Sequence, residues 1–174
     1  PTIDGLRKEG ITYRGVLYAG LMITEEGPMV LEYNVRFGDP ETQAVLPRMK
    51  SDLAELLLAT AEGDLSGKSI EWDERECVCV VLASGGYPGD YRKGMKITGL
   101  EEAARTGARV FHAGTRKEND GFVTSGGRVL GVAALGDGIK EAVENAYGAV
   151  KMIDFEGVHY RKDIAHRAVA RVGA

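Results

Sequence analysis

Polar and apolar residues alternate along two neighbouring stretches near the start of the chain. Residues 13–24 (YRGVLYAGLMIT) and 29–37 (MVLEYNVRF) are both rich in residues that favour β-strands, and a short Gly-Pro turn separates them. This arrangement predicts an antiparallel β-hairpin. Ahead of the hairpin, residues 2–9 predict a short helix that Gly10 closes.

Two helices are predicted after the hairpin. Asp39 is placed to cap the first one, with Pro40 at the first helical position, where the N–H that proline lacks would have no partner anyway. Residues 51–63 (SDLAELLLATAEG) predict the second helix, which Ser51 caps and Gly63 ends. The apolar face of this second helix is predicted to contain Leu53, Leu56 and Leu57.

The composition changes after residue 63, where glycines become frequent and strand-like segments follow one another. The strands predicted in this half are 77–84, 108–114, 121–125 and 128–136. A long turn region, 85–94, follows the first of these strands, and a short helix, 101–107, precedes the second.

The last strong pattern along the chain is an amphipathic helix over residues 137–153. Its apolar stripe consists of Ile139, Val143, Ala146, Tyr147 and Val150. We therefore expect an α+β fold. Residues 1–70 would be the end of one domain, with antiparallel strands and helices, and residues 71–174 would be a small β-rich C-terminal domain with a covering helix.

The overall composition is that of an ordinary globular protein, with 44% apolar and 28% charged residues. A net charge of −4 offers no basic surface for nucleic acid, and no apolar run approaches the length of a membrane span. No signal-peptide pattern is present, so we expect a cytoplasmic protein that binds neither nucleic acid nor membrane. Cys77 and Cys79, two apart in an apolar strand, are interpreted as reduced packing residues rather than as a disulfide or metal pair.

Three polar residues form a row on one face of the predicted strand 29–37. Side chains two residues apart on a strand point to the same side and lie about 7 Å apart, so Glu32, Asn34 and Arg36 share a face. A carboxylate and an amide oxygen could hold Mg²⁺ against a phosphate, and the guanidinium could stabilise a phosphoryl group in transfer. The same alternation is typical of an antiparallel strand with one solvent-exposed face, and the pattern alone favours that plainer interpretation.

Several segments of the chain, taken together, resemble the glycinamide ribonucleotide synthetases (phosphoribosylamine–glycine ligases), enzymes of the ATP-grasp group. In chain order these segments are YRGVLYAGLMIT (13–24), LEYNVRFGDPETQ (31–43), ASGGYPGDYRKGMKITGL (83–100), VFHAGT (110–115), GRVLGVAALG (127–136) and VHYRKDIAHRA (158–168). The resemblance covers essentially the whole chain. Only LEYNVRFGDPETQ is shared with the wider ATP-grasp group, whereas the other segments are specific to this ligase.

The resemblance implies an ATP-dependent carbon–nitrogen ligase of purine biosynthesis. Such an enzyme phosphorylates glycine with ATP, and the amine of phosphoribosylamine then displaces phosphate from glycyl phosphate to give glycinamide ribonucleotide. By resemblance, Glu32 and Asn34 are ligands of Mg²⁺ or Mn²⁺, and Arg36 faces the phosphoryl group in transfer. Related enzymes carry a further metal carboxylate on the preceding strand, where this chain reads AGLMI. One ligand must therefore come from elsewhere, or the ion is held more loosely.

The resemblance also implies residues that contact the substrates. The turn beside the acyl phosphate would consist of Asp39, Pro40, Glu41 and Thr42. Arg128 matches a basic residue that binds the ribose phosphate, with Lys117 as a weaker match, although Arg128 could also be an exposed residue after a tight turn. Gly85, Gly86 and Tyr87 would either allow close approach of the backbone to a substrate or simply form a turn.

The chain begins at Pro1 and not at Met, which predicts a piece of a longer protein. Its expected partners are ATP, glycine and phosphoribosylamine, together with the N-terminal part of the same enzyme, which in the family carries most of the ATP site. The 174-residue chain alone is therefore expected not to catalyse the ligation. Two alternatives stay open: a non-catalytic module of the same fold that binds a phosphosugar or a partner protein, and a biotin-carrying barrel, which GMKIT (94–98) matches poorly.

Overall fold

The computed structural model of the chain describes residues 1–119 and 121–172. The helices are α1 (Thr2–Lys8), α2 (Thr42–Val45), α3 (Leu53–Glu62), α4 (Leu100–Arg105), α5 (Ile139–Val150) and α6 (His166–Val172). The strands are β1 (Tyr18–Thr24), β2 (Gly27–Asn34), β3 (Glu76–Ala83), β4 (Lys96–Ile97), β5 (Arg109–His112), β6 (Thr115–Glu118), β7 (Gly121–Thr124) and β8 (Arg128–Gly136). A 3₁₀ turn, Leu46–Arg48, follows α2.

These residues form two compact units, which are described separately. The first unit contains Pro1–Asp39 and Met49–Trp72, and the second contains Pro40–Arg48 and the chain from Asp73 onward. Both units combine antiparallel strands with helices, so the predicted α+β class is confirmed. Residues 40–48, which the sequence pattern grouped with the first part of the chain, belong to the second unit.

The predicted hairpin is present in the first unit. β1 and β2 pair antiparallel, and the pairing of Thr24 with Gly27 closes a tight turn. Both strands are shorter than predicted, because Tyr18 at the start of β1 is the partner of Asn34 at the end of β2. Beyond Asn34 the backbone has no strand partner within the described part of the chain, and Arg36 lies in a bend.

Helix α3 begins with a different capping residue from the one predicted. Its N-cap is Asp52, whose Oδ1 accepts hydrogen bonds from the Ala54 N–H (2.7 Å) and the Glu55 N–H (3.4 Å). The prediction that Ser51 caps the helix is wrong, because the Ser51 hydroxyl oxygen accepts a hydrogen bond from the Glu71 N–H instead.

The end and the inner face of α3 agree with the sequence in part. Gly63 ends the helix as predicted, in the left-handed conformation with φ +83°. Leu53 and Leu56 are half-buried and Ala59 is buried, so these residues form the inner face. The prediction that Leu57 shares this face is wrong, because its position turns it toward solvent, where its side chain is 42% exposed.

Helix α2 begins later than predicted, so Asp39 does not cap it and Pro40 does not open it. Its N-cap is Glu41, which makes no side-chain capping hydrogen bond. The first turn closes on the carbonyl O of Glu41, which accepts hydrogen bonds from the N–H groups of Ala44 and Val45, each at 3.0 Å. The prediction fails because Asp39 and Pro40 belong to a turn that precedes the helix.

The second unit contains two antiparallel sheets. One has the strand order β3-β8-β5 and the other β4-β7-β6. Helix α5 packs on the first sheet, and its buried residues are Ala142, Ala146, Ala149 and Val150. Ile139, Val143 and Tyr147 pack beside this group, so the predicted stripe and the covering helix are confirmed.

Different elements cover the two faces of the first sheet. On β3, Val80 and Leu82 are fully buried in the hydrophobic core between this sheet and α5. Successive strand residues point to opposite faces, so Cys79 lies on the other side. There α2 contacts the sheet: a Cβ added at Gly131 would lie 3.5 Å from the Sγ of Cys79 and 3.7 Å from the Cγ of Gln43. This contact explains why α2 belongs to the second unit.

The sequence pattern does not predict β4, β6 or α6. β4 has only two residues, and β6 is exposed along most of its length, so neither carries an apolar alternation. α6 contains no buried residue and therefore has no apolar stripe. Within residues 1–119 and 121–172, no helix has both the length and the apolar character needed to cross a membrane.

Candidate functional site

Glu32 and Asn34 lie side by side at the end of β2. The Nδ2 of Asn34 donates a hydrogen bond of 2.9 Å to the Oε1 of Glu32, so the two side chains share one face as predicted. The strand register shifts immediately before them: Gly20 pairs with Glu32, whereas Leu21 pairs with Val30.

This register shift makes Leu31 an extra residue in β2, as in a β-bulge. Bulges re-aim the side chains beside them and are frequent next to active sites. Gly20 also leaves room for the carboxylate, because a Cβ there would lie only 3.2 Å from the Cγ of Glu32. Glu32 is exposed and Asn34 is half-buried, so the pair is accessible to a ligand.

Arg36 does not continue this pair along the strand. It lies beyond the last residue of β2, and its Nη1 donates a hydrogen bond of 2.9 Å to the carbonyl O of Phe37. The predicted row of three is therefore wrong for Arg36, because the β1 pairing ends at Asn34 and the chain bends there. The role of Arg36 toward a phosphoryl group stays a prediction.

The Glu32–Asn34 pair brings one carboxylate and one side-chain amide together, and a role for the pair in metal binding stays a prediction. Among the residues that the structure describes, no three His, Cys, Asp or Glu side chains come together as a metal-binding group. Mg²⁺ usually takes one or two carboxylates and completes its shell with phosphate oxygens and water, so one carboxylate and one amide oxygen fit a shared site. The amide NH₂ of Asn34 now faces Glu32, and a cation held by both residues would require the amide oxygen in its place.

The predicted substrate turn, Asp39 to Thr42, spans the division between the two units. Asp39 and Glu41 are exposed, whereas Pro40 and Thr42 are half-buried. Helix α2 has only four residues, so its N-terminus contributes little dipole to the binding of an anion. The contact of these four residues with a substrate stays a prediction.

Arg128 and Tyr87 come together in the second unit. Arg128 is the exposed first residue of β8, and Tyr87 follows the end of β3. A Cβ added at Gly127 would overlap the Tyr87 ring, so this ring packs directly on the backbone that precedes Arg128. Two residues that the resemblance assigned to substrate binding are therefore neighbours.

A second register shift lies at Arg128. Ala83 pairs with Arg128, whereas Leu82 pairs with Leu130. Val129 is therefore the extra residue of β8, and its side chain is fully buried. A bulge-like shift thus accompanies both groups of predicted binding residues, one on β2 and one on β8.

The backbone of the turn itself requires glycine at the two positions before Tyr87. Gly86 adopts φ +97°, a conformation that favours glycine, and a Cβ there would overlap the carbonyl of Asp90. A Cβ at Gly85 would lie 2.8 Å from the carbonyl O of Gly157. The turn interpretation accounts for both glycines, and their contact with a substrate stays a prediction.

Lys117 lies on a different sheet from Arg128. It is an exposed residue of β6 and pairs with Phe122 of β7. Because β6 belongs to the β4-β7-β6 sheet and Arg128 to the β3-β8-β5 sheet, the strand register does not bring the two cations together. A role for Lys117 in phosphate binding stays a prediction.

Ser84 is a buried polar residue that the sequence pattern does not single out. It is 3% exposed and hydrogen-bonds to the turn before Arg128. The only sequence signal is a hydroxyl directly after an apolar strand.

A polar cleft of about 430 Å³ in the same unit was also missed, and Arg75, Arg109, Asp137, Glu141 and Asn145 are among its lining residues. The pKa of Arg75 is raised, first by its hydrogen bond to Asp73, so its charge is already engaged.

Neither Cys77 nor Cys79 forms a disulfide, and both residues are half-buried on β3. Burial raises the pKa of the Cys77 thiol, and the positive charges of Arg48 and Arg109 oppose that shift. A thiol with a raised pKa is a poor nucleophile and a poor metal ligand at neutral pH. This agrees with the interpretation of Cys77 as a packing residue.

Two family models match the chain. Residues 77–167 match the model described as "Phosphoribosylglycinamide synthetase, C domain", and residues 1–42 match "Phosphoribosylglycinamide synthetase, ATP-grasp (A) domain". The antiparallel fold and the segment that carries Glu32 and Asn34 therefore place the chain in the ATP-grasp class. With both parts matched, the chain belongs to the phosphoribosylglycinamide synthetase family, as its sequence motifs predict.

Known relatives agree with this assignment. The chain is 58% identical over 165 residues to a phosphoribosylamine–glycine ligase of Caldanaerobacter subterraneus, covering 95% of the chain and 39% of the relative. It is 52% identical over 170 residues to the trifunctional purine biosynthetic protein adenosine-3 of Gallus gallus. This match covers 97% of this chain and 17% of that protein. The crystal structure of the ligase from Thermotoga maritima matches with a TM-score of 0.82 at 39% identity, covering 93% of this chain and 40% of that one. The chain thus spans about two fifths of the length of the ligases it matches.

Proposed function

We propose that the chain is the C-terminal part of a phosphoribosylamine–glycine ligase. In this proposal the whole enzyme joins 5-phosphoribosylamine to glycine with ATP, through glycyl phosphate, and releases ADP and phosphate. The observation that carries it is the Glu32–Asn34 pair, in contact at 2.9 Å within the segment that matches the family's ATP-grasp model. The similarity to ligases at 58% and 53% identity supports the same reaction.

Glu32 and Asn34 would hold Mg²⁺ or Mn²⁺ in this enzyme. When bound, the cation neutralises charge on the phosphates of ATP. The accessibility of both side chains supports a site that protein and phosphate oxygens share. Arg36 would face the phosphoryl group in transfer, because a guanidinium has several N–H donors and the bond from its Nη1 to the Phe37 carbonyl uses one of them.

Arg128 would bind the phosphate of the ribosylamine. A guanidinium matches phosphate oxygens with paired N–H donors, and Arg128 is exposed at the start of β8. Tyr87, Gly85 and Gly86 would form the wall beside this phosphate, and Lys117 would be a second, more remote cation. The turn beside the glycyl phosphate would consist of Asp39, Pro40, Glu41 and Thr42.

The 174-residue chain would not catalyse the ligation by itself. Its match to the ATP-grasp (A) model is limited to residues 1–42. The β1–β2 hairpin also exposes large apolar side chains, including Ile23 at 74% and Leu31 at 64%. Exposed apolar surface of this kind is typical of a region that further protein covers.

Release of ADP by the full-length enzyme tests the proposal, with ATP, glycine and phosphoribosylamine omitted one at a time. We expect release only when all three are present. Release that does not depend on glycine, or no release at all, would overturn the assigned reaction. The 174-residue chain, assayed in parallel, is expected to show none, and turnover by it would contradict the second part of the proposal.

A further inference from the structure

Ser84 occupies a buried position at the end of β3, where the strand meets the turn that holds Tyr87. Its side chain is only 3% exposed. A buried hydroxyl requires a hydrogen-bond partner, because leaving it unpaired costs free energy. The partner of Ser84 therefore indicates what the hydroxyl does in the fold.

The hydroxyl and the backbone N–H of Ser84 both bind the backbone that leads into Arg128. The Oγ of Ser84 donates a hydrogen bond of 2.9 Å to the carbonyl O of Gly126. The N–H of Ser84 donates a hydrogen bond of 2.8 Å to the carbonyl O of Gly127. One residue thus holds the two successive carbonyls that precede Arg128.

Arg128 depends on this anchor because the strand pairing is irregular next to it. The register shift makes Val129 an extra residue, so regular ladder pairing resumes only at Leu130. On the other side, the carbonyl O of Arg128 accepts a hydrogen bond of 2.9 Å from the Gly114 N–H. The orientation of the Arg128 backbone is therefore set by Ser84 and Gly114 rather than by a continuous ladder.

Thr124 provides an internal comparison within the same unit. It is the other buried hydroxyl residue of the described chain, with 0% exposure. Its Oγ1 accepts a hydrogen bond of 3.1 Å from the Met95 N–H, so it supports a different loop. Removing this hydroxyl removes a comparable buried hydrogen bond in which neither Gly126 nor Gly127 takes part.

We propose that Ser84 is a positioning residue that holds Arg128 in the orientation for binding the ribose phosphate of the substrate. This rests on the proposed function, in which Arg128 makes the phosphate contact. Ser84 itself touches no substrate in this account. Its hydroxyl fixes the Gly126 carbonyl, and the turn then directs the guanidinium.

The test uses the full-length enzyme with the variants Ser84→Ala, Ser84→Thr, Thr124→Val and Arg128→Ala. The readouts are the KM for phosphoribosylamine, the KM for ATP and for glycine, kcat, and inhibition by ribose 5-phosphate. We expect Ser84→Ala to raise the KM for phosphoribosylamine about 3- to 10-fold, the equivalent of one net hydrogen bond. The inhibition constant of ribose 5-phosphate should rise in parallel, while kcat and the other KM values change less than about twofold.

The other variants separate positioning from general damage. Ser84→Thr keeps a hydroxyl and should restore most of the affinity. Thr124→Val should lower the Tm to a similar extent as Ser84→Ala and leave the KM for phosphoribosylamine unchanged. If Ser84→Ala does not yield folded enzyme, Ser84→Cys is measured in its place, and because its thiol is a weaker donor than a hydroxyl, we expect a smaller rise in the KM for phosphoribosylamine, with an unchanged KM overturning the positioning role.

The outcomes test the phosphate role of Arg128 and the positioning role of Ser84 separately. An unchanged KM in Arg128→Ala would overturn the phosphate role of Arg128 and the positioning role with it. A raised KM in Arg128→Ala with an unchanged KM in Ser84→Ala would overturn the positioning role alone. Equal rises in Ser84→Ala and Thr124→Val would assign the effect to general destabilisation and would also overturn it.

Discussion

The side-chain amide of Asn34 donates a hydrogen bond of 2.9 Å to the carboxylate of Glu32. Two side chains that are two residues apart on a strand can touch in this way only when they share a face. Both groups offer oxygen ligands, which are the kind that Mg²⁺ prefers. The contact therefore places the acid and the amide of the proposed metal site next to each other, and a turn of the Asn34 amide would bring its oxygen beside the Glu32 carboxylate.

Gly127→Ala should destabilise the second unit. The new Cβ would overlap the Tyr87 ring, so the ring or the turn must move, and overpacking of this kind costs about 1–3 kcal/mol. Urea unfolding measures the effect. Gly148→Ala is the matched control, because its Cβ meets no atom within 4 Å and alanine in a helix interior stabilises by about 0.5–1 kcal/mol. An unchanged stability in Gly127→Ala would contradict the packing of Tyr87 on this turn.

Asp52→Ala should destabilise helix α3 by about 1 kcal/mol, because two N–H groups of the first turn lose the carboxylate that accepts from them. The free energy of unfolding measures this loss. Asp52→Asn should be nearly neutral, since asparagine caps helices about as well as aspartate. Equal losses in both variants would indicate that the charge, and not the capping hydrogen bond, provides the stabilisation.

Burial raises the pKa of the Cys77 thiol in the folded chain. The free energy of unfolding should therefore change with pH in the alkaline range. The thiol of the unfolded chain has a pKa of about 8.5. Below that pH the thiol is protonated in the folded and in the unfolded chain, and the contribution of Cys77 to stability is fully present. As the pH rises through the folded pKa this contribution is lost, because the unfolded state loses its proton first.

Alkylation by iodoacetamide, followed for each cysteine by mass spectrometry, measures the Cys77 shift. The midpoint of the rate against pH should lie higher for folded Cys77 than for the same thiol in urea. Cys77→Ala should remove part of the alkaline loss of stability. A folded midpoint at or below the unfolded one would contradict the effect of burial.

The sequence predicts the hairpin and the covering helix well, because both patterns are local. Alternation and a Gly-Pro turn are enough for β1 and β2, and one apolar stripe is enough for α5. The strand ends are different, since β2 ends where Tyr18 pairs with Asn34, and that pairing is set by a partner strand. The register shift at Leu31 likewise has no sequence signal of its own.

The capping errors have the same origin. Ser51 and Asp52 are both good capping residues, and the choice between them depends on Glu71, whose N–H engages the Ser51 hydroxyl from 20 positions away in sequence. In the candidate site, the alternation of residues along β2 correctly predicts that Glu32 and Asn34 share a face. It does not predict the position of Arg36, because the chain bends after Asn34. The role of Ser84 could not be predicted from the sequence, because only the folded sheet brings its hydroxyl to the Gly126 carbonyl.

The metal dependence of Glu32→Gln in the full-length enzyme tests the central claim most directly. Glutamine keeps the shape of the side chain and removes its charge, and because Glu32 is exposed, the Tm should change little. We predict that the Mg²⁺ concentration for half-maximal turnover rises at least about tenfold, as expected when a charged ligand is lost. Glu26→Gln, at the exposed hairpin turn, is the control and should match the unaltered enzyme. An unchanged Mg²⁺ dependence in Glu32→Gln, with folded protein, would contradict the account and return Glu32 to the solvent-exposed face of an ordinary strand.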